Sequence, residues 1–156
     1  GKNIRLGISL NELYRELATY PVKGAYVFLD ACFSGGYKSA APLLAQKGVR
    51  VVPKVGLPQG KTLSFSSSSG DQTSSVYHDK KQGYYTYFLI KTIKDARGDL
   101  SMKDLFERTS AAVKKATAMI GKMQEPQCMV SPTWFGWESL RLETPVEPAP
   151  VAPQGE

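Results

Sequence analysis

The stretch AYVFLDACFSGG, Ala25 to Gly36, decides how the chain is read. Ala25 to Leu29 form an unbroken apolar run of strand length, the pattern of a strand buried on both faces, as in a parallel sheet. The carboxyl end of such a strand opens onto the crevice where α/β sheets hold their binding sites. Asp30 and Cys32 stand at that end. Gly35 and Gly36 let backbone N–H groups approach a substrate closely, and one such group could stabilise an oxyanion. Position alone leaves Cys32 with two readings: a nucleophile, or a small buried hydrophobe, the commoner fate of free cysteines.

Outward from this strand, helices alternate with apolar runs, so the fold class is α/β. Ser9-Leu10-Asn11-Glu12 reads as a capping box, followed by a helix from about Leu10 to Ala18 with Leu10, Leu13, Tyr14 and Leu17 on one face. Pro21 and Gly24 end it. Ala40 to Gln46 reads as helical, Val49 to Val55 as strand, and Thr62 to Ser66 as a further strand. Ser67 to Ser75 is expected to be too polar for the core. Gly83 opens a helix from Tyr84 to Lys94, with Tyr85, Phe88, Leu89 and Ile93 facing a sheet. Ser101 with Asp104 starts a last helix to about Gly121, striped by Leu105, Thr109, Ala112, Val113, Ala116 and Ile120. Residues 143–156 contain four prolines and read as a tail or linker.

The 156 residues are 42% hydrophobic, enough for a core of one domain. No run of 18 apolar residues occurs, so no membrane span is expected. Two cysteines, Cys32 and Cys128, make no disulfide framework, and reduced thiols point to a cytoplasmic compartment. The formal charge is +6; residues 143–156 hold three acids and no base, which leaves +9 on residues 1–142. The lysines are scattered and no arginine-rich block accompanies them, which argues against a nucleic-acid partner. A basic face that meets an acidic partner, including another part of the same protein, is the plainer account.

DACFSGG resembles the active-site cysteine motif of the caspase-like peptidases, most closely the metacaspase and bacterial orthocaspase branch. Leu63 to Ile93, LSFSSSSGDQTSSVYHDKKQGYYTYFLIKTI, is similar to that family's strand, substrate loop and helix, and the likeness runs more weakly through QEPQCM to about residue 130. The resemblance implies a caspase-like (caspase-hemoglobinase) fold: a mostly parallel sheet flanked by helices, occupying residues 1–142. It implies Cys32 as the nucleophile that forms an acyl-enzyme on a protein or peptide substrate. It also implies that Asp30, with Ser69, Gly70 and Asp71 of the Ser-Gly-Asp-Gln loop, lines a pocket for the Arg or Lys preceding the cleaved bond, where a carboxylate pairs with a cation and repels an aspartate. From the residues alone, Asp71 could equally cap its own loop and Asp30 could hold the strand end.

The departures from the family pattern shape the remaining expectations. The histidine-glycine pair that the family carries before its cysteine has no match between Gly1 and Leu29. His78, in a polar loop, is read as an exposed histidine. The catalytic histidine, with the N-terminal strands and helices of the fold, is therefore expected outside this chain, which starts without methionine and reads as the C-terminal part of a caspase-like domain. Such a part would expose a sheet edge, to be covered by the N-terminal half of the domain or by a homodimer partner. The alternative is a catalytically inactive caspase-like scaffold that binds or regulates. Members of the branch often use calcium, but Asp71 and Asp79 are too few and too separated to assign a site, so no metal or other cofactor is assigned. Lys47, Arg50, Lys54 and Lys61 fall where caspase-like zymogens are nicked and equally suit an ordinary surface loop. Cys128 is read as structural.

Overall fold

Ala25–Leu29 does form a strand, and its partner is the run Thr62–Ser66, but the expected burial on both faces belongs to that partner: the residues of Ala25–Leu29 are only partly buried and Phe28 is exposed. The computed structural model of the protein describes residues 9–31, 56–69, 72 and 74–142. In chain order these comprise α1 (Leu10–Thr19), β1 (Ala25–Leu29), β2 (Thr62–Ser66), β3 (Val76–Tyr77), a 3-10 turn (His78–Lys80), β4 (Gln82–Gly83), α2 (Tyr84–Asp95), α3 (Met102–Ala118), β5 (Gln127–Val130) and a second 3-10 turn (Trp137–Ser139). The helix expected at Ala40 to Gln46 and the strand at Val49 to Val55 lie outside the described residues.

The main sheet has the order β1-β2-β5. β1 runs parallel to β2, pairing Tyr26 with Leu63 and Phe28 with Phe65. β5 runs antiparallel to β2, pairing Leu63 with Val130 and Phe65 with Cys128. Among the described residues the sheet is therefore mixed, and the mostly parallel sheet expected from sequence is seen in one of its two pairings. β5 escapes the apolar-run criterion because it has only four residues and includes Gln127. β3 and β4 form a separate antiparallel hairpin.

All five residues of β2 are buried. Side chains alternate across a strand, and here each face has its own partner. Leu63 and Phe65 join Tyr85 of α2, Met102, Leu105 and Val113 of α3, and Leu100 between the two helices. Burying each large apolar side chain of this cluster contributes about 1.5–3 kcal/mol. On the opposite face the Tyr14 hydroxyl donates to Ser64 Oγ at 2.9 Å, so α1 is tied to the sheet by a buried polar contact.

The helix ends follow their capping chemistry. Ser9 and Glu12 complete the capping box of α1, and the Ser101 hydroxyl accepts the Asp104 N–H at the start of α3. α3 stops at Ala118, short of the expected Gly121: Gly121 takes a φ of +67°, and the Lys122 N–H turns back to the Thr117 carbonyl at 2.9 Å. That is the left-handed closure glycine permits. Ile120 consequently leaves the stripe and is 48% exposed.

The serine tract corrects the sequence reading. Ser67, Ser68 and Ser75 are buried rather than excluded from the interior. The Ser67 and Ser68 hydroxyls meet backbone carbonyls and the Ser74 hydroxyl, and the Ser75 N–H meets the Gln124 side chain, the general condition for burying polar groups.

Tyr14→Phe should lower the unfolding free energy by about 1–2 kcal/mol, since it removes a buried hydrogen bond and orphans Ser64. Urea denaturation measures this, and adding Ser64→Ala should recover part of the loss. An unchanged midpoint in the single variant would show that this contact does not hold α1.

Candidate active site at the carboxyl end of β1

Asp30 follows β1 directly and its side chain is exposed. It reaches the start of α2, where Oδ2 accepts the Thr86 N–H at 3.2 Å and the Thr86 hydroxyl at 2.6 Å. Thr86 is the third residue of α2, one of the positions whose N–H lacks an intrahelical acceptor. The residue at the N-cap, Gly83, has no side chain to supply one. Asp30 thus caps α2 from another element, with its negative charge against the positive end of the helix dipole. The capping depends on Gly83 being glycine, because a Cβ there would clash with the Asp30 carboxylate.

The β3–β4 hairpin is fixed beside this cap by aromatic packing. Tyr77 stacks on Tyr84 with centroids 4.4 Å apart and planes 5° apart, and meets Tyr87 edge-on at 5.2 Å. His78 lies on the exposed turn of the hairpin. The Tyr85 hydroxyl is buried and, among the described residues, has no hydrogen-bond partner. Its pKa is raised, first by burial and then by the nearby Asp30 and Cys128, so the phenol stays neutral.

Ala31, between Asp30 and Cys32, is held by the serine loop. The Ser67 N–H donates to the Leu29 carbonyl at 2.8 Å. The Ser67 and Ser74 hydroxyls lie 3.2 and 3.3 Å from the Ala31 carbonyl and are in short contact with each other. Each hydroxyl has one proton, so one donates to Ala31 while the other donates either to Ala31 or to its neighbour. Ser69 is half-buried, and its carbonyl accepts the Gln72 N–H at 3.0 Å. Cys32, Gly70 and Asp71 lie outside the described residues, as do Lys47, Arg50 and Lys54. Of the expected pocket residues, Asp30 and Ser69 are described: Asp30 precedes Ala31 at the end of β1, and Ser69 lies in the loop after β2, whose Ser67 and Ser74 hydroxyls meet the Ala31 carbonyl.

Sequence reasoning missed Thr86, Gly83, Ser67 and Ser74. The signal for the first two was present in a helix whose N-cap is a glycine without a capping side chain, which calls for a cap from elsewhere. Nothing comparable marked Ser67 or Ser74 among so many serines. Among the described residues no group of three or more His, Cys, Asp or Glu side chains could hold a metal ion, and no helix is long and apolar enough to cross a membrane.

Cys128, on β5, is half-buried, and its thiol is pushed up to about 11 by burial first and by Glu138 second. A thiol in that state is a poor nucleophile at neutral pH. Against an ordinary thiol pKa of 9.0, alkylation of Cys128 by iodoacetamide at pH 8 should be about a hundredfold slower in the folded protein than after unfolding. The linked contribution to stability is fully present below pH 9 and is lost as pH rises through 11, because the unfolded thiol ionises first. Peptide mapping after timed alkylation measures the rate, and equal rates in folded and unfolded protein would contradict the burial argument.

None of the curated proteins compared matches the chain. A family model does: the caspase domain matches residues 2–133, a span that takes in β1, the Cys32 segment, the serine loop, α2, α3 and β5. The chain belongs to the caspase domain family, a family of cysteine peptidases with an α/β fold.

Proposed function

We propose that the protein is a cysteine endopeptidase of the metacaspase and orthocaspase branch that cleaves after Arg or Lys. The observation that carries this reading is the exposed Asp30 carboxylate at the end of β1, two residues before Cys32 and fixed at one oxygen. Oδ2 is engaged by Thr86, which leaves Oδ1 to meet a substrate guanidinium or ammonium. Asp71, Gly70 and Ser69 complete the pocket from the serine loop. The Cys32 thiolate attacks the scissile carbonyl, the leaving amine takes a proton from a histidine, and water hydrolyses the resulting thioester. That histidine is supplied from outside residues 1–156, as part of the N-terminal half of the domain. The only histidine in this chain, His78, sits on an exposed turn.

Hydrolysis of paired fluorogenic peptides ending in Arg and in Asp, by the intact gene product and by residues 1–156, tests the reading. The Arg peptide should be cleaved and the Asp peptide spared. Cys32→Ala should abolish cleavage, His78→Ala should leave it unchanged, and Asp30→Asn should lower kcat/KM for the Arg peptide by about 10- to 100-fold, the worth of one hydrogen bond to a charged group. Cleavage that survives Cys32→Ala would remove the nucleophile assignment. A folded gene product that cleaves neither peptide, with calcium added, would leave a binding scaffold as the function.

A further inference from the structure

Gln124 is 1% exposed, and its amide is committed to the serine loop. Oε1 accepts the Ser75 N–H at 2.8 Å, and Nε2 donates to the Ser67 carbonyl at 2.9 Å. Ser67 and Ser75 are the two ends of the loop, so one planar group closes its neck. The next residue grips the middle, where the Glu125 N–H donates to Gln72 Oε1 at 2.7 Å. The clasp is in turn anchored to α3 through the Glu125 carboxylate, 3.3 Å from Lys114 Nζ.

On its other side the same loop holds the peptide that leads into Cys32, through the Ser67 N–H on Leu29 and the Ser67 and Ser74 hydroxyls on Ala31. Gln124, the loop and Ala31 form one continuous hydrogen-bonded chain. A residue at position 124 must offer a donor and an acceptor at the same time. Glutamate would set a carboxylate oxygen against the Ser67 carbonyl, asparagine is one methylene too short, and an apolar side chain would orphan both loop groups.

We infer that Gln124 is a positioning residue that sets the serine loop against the Ala31 carbonyl, next in sequence to Cys32, and so controls substrate binding and acylation. The catalytic part of this inference rests on the proposed function; the clasp itself does not. A small displacement of reacting groups, of order 1 Å, costs about 10²-fold in rate, so loosening the neck should be felt at the thiol.

The experiment joins hydrogen exchange with kinetics on the intact gene product, using Gln124→Met, which conserves length and volume, and Gln72→Met, which opens only the middle grip. In Gln124→Met, exchange in peptides covering residues 67–77 should rise at least tenfold while residues 102–118 stay as protected as in the parent. For the Arg-ending peptide kcat/KM should fall about 10²-fold, with KM raised at an unchanged titre of reactive Cys32; a purely structural role would lower the titre and leave KM alone. Gln72→Met should shift both readouts in the same direction by less, and it decides the matter if Gln124→Met does not fold. Unchanged exchange at residues 67–77 in a folded variant, or a uniform loss of protection through α3, overturns the inference. Loosened exchange with unchanged kcat/KM overturns its catalytic part. Loosened exchange in a protein whose parent cleaves no peptide supports the clasp and rejects the peptidase reading.

Discussion

Burial of β2 on both faces is the constraint on which the rest of the described structure depends. A five-residue strand with no exposed position must have hydrogen-bonded strands at both edges and covering elements on both faces. β1 and β5 supply the edges. The helical pair α2–α3 covers Leu63 and Phe65, and α1 reaches Ser64. The choice of side chains follows from the two partners. The apolar face meets an apolar cluster, whereas on the serine face the Tyr14 hydroxyl meets Ser64 and the Ser66 hydroxyl donates to the Ser68 carbonyl, since an orphaned buried hydroxyl costs about 1–3 kcal/mol.

The same constraint explains why the chain leaving β2 stays inside. Parallel pairing places the carboxyl ends of β1 and β2 side by side, so Ser67 emerges next to Leu29, Asp30 and Ala31. A loop starting there has carbonyls on one side and the Gln124 segment on the other. Small hydroxylated side chains suit such a place, because they fill little space and can donate to whichever carbonyl they meet. A larger polar residue would displace the Ala31 peptide, and an apolar one would leave its carbonyl unmet.

The parts of this arrangement legible in the sequence are those whose signal is local. The Ser9–Glu12 capping box, the strand at Ala25–Leu29 and the Ser101 start of α3 were each read from a few adjacent residues, because capping and strand formation are decided over a short length of chain, whereas the burial expected of Ala25–Leu29 falls on β2 instead. The burial of Ser67 and Ser68 was not legible: composition reports a residue's preference for water, and only the fold shows that carbonyls wait for it. β5 was missed for a related reason, since four residues including a glutamine become a strand only where β2 offers a free edge. Of the candidate site, Asp30 and Ser69 could be picked out by family likeness, but Thr86 and Gln124 act through contacts across more than fifty residues of sequence, which no local pattern encodes.

Under the proposed function, Asp30 serves stability and recognition together. A carboxylate has two oxygens and about four lone-pair positions, so holding Thr86 with Oδ2 fixes the orientation of the group without exhausting it. The cost of ordering the side chain is then met by capping α2, before any substrate arrives, which is the advantage of a preorganised site. The absent side chain at Gly83 is part of the same device, because it lets the carboxylate lie against the helix start. Under the proposed reading, the acid that selects Arg or Lys is also the acid that begins α2, and substitutions at Asp30, Gly83 or Thr86 act on both properties at once. That reading ties specificity to the integrity of a helix, whereas a carboxylate on a free loop would leave the two independent.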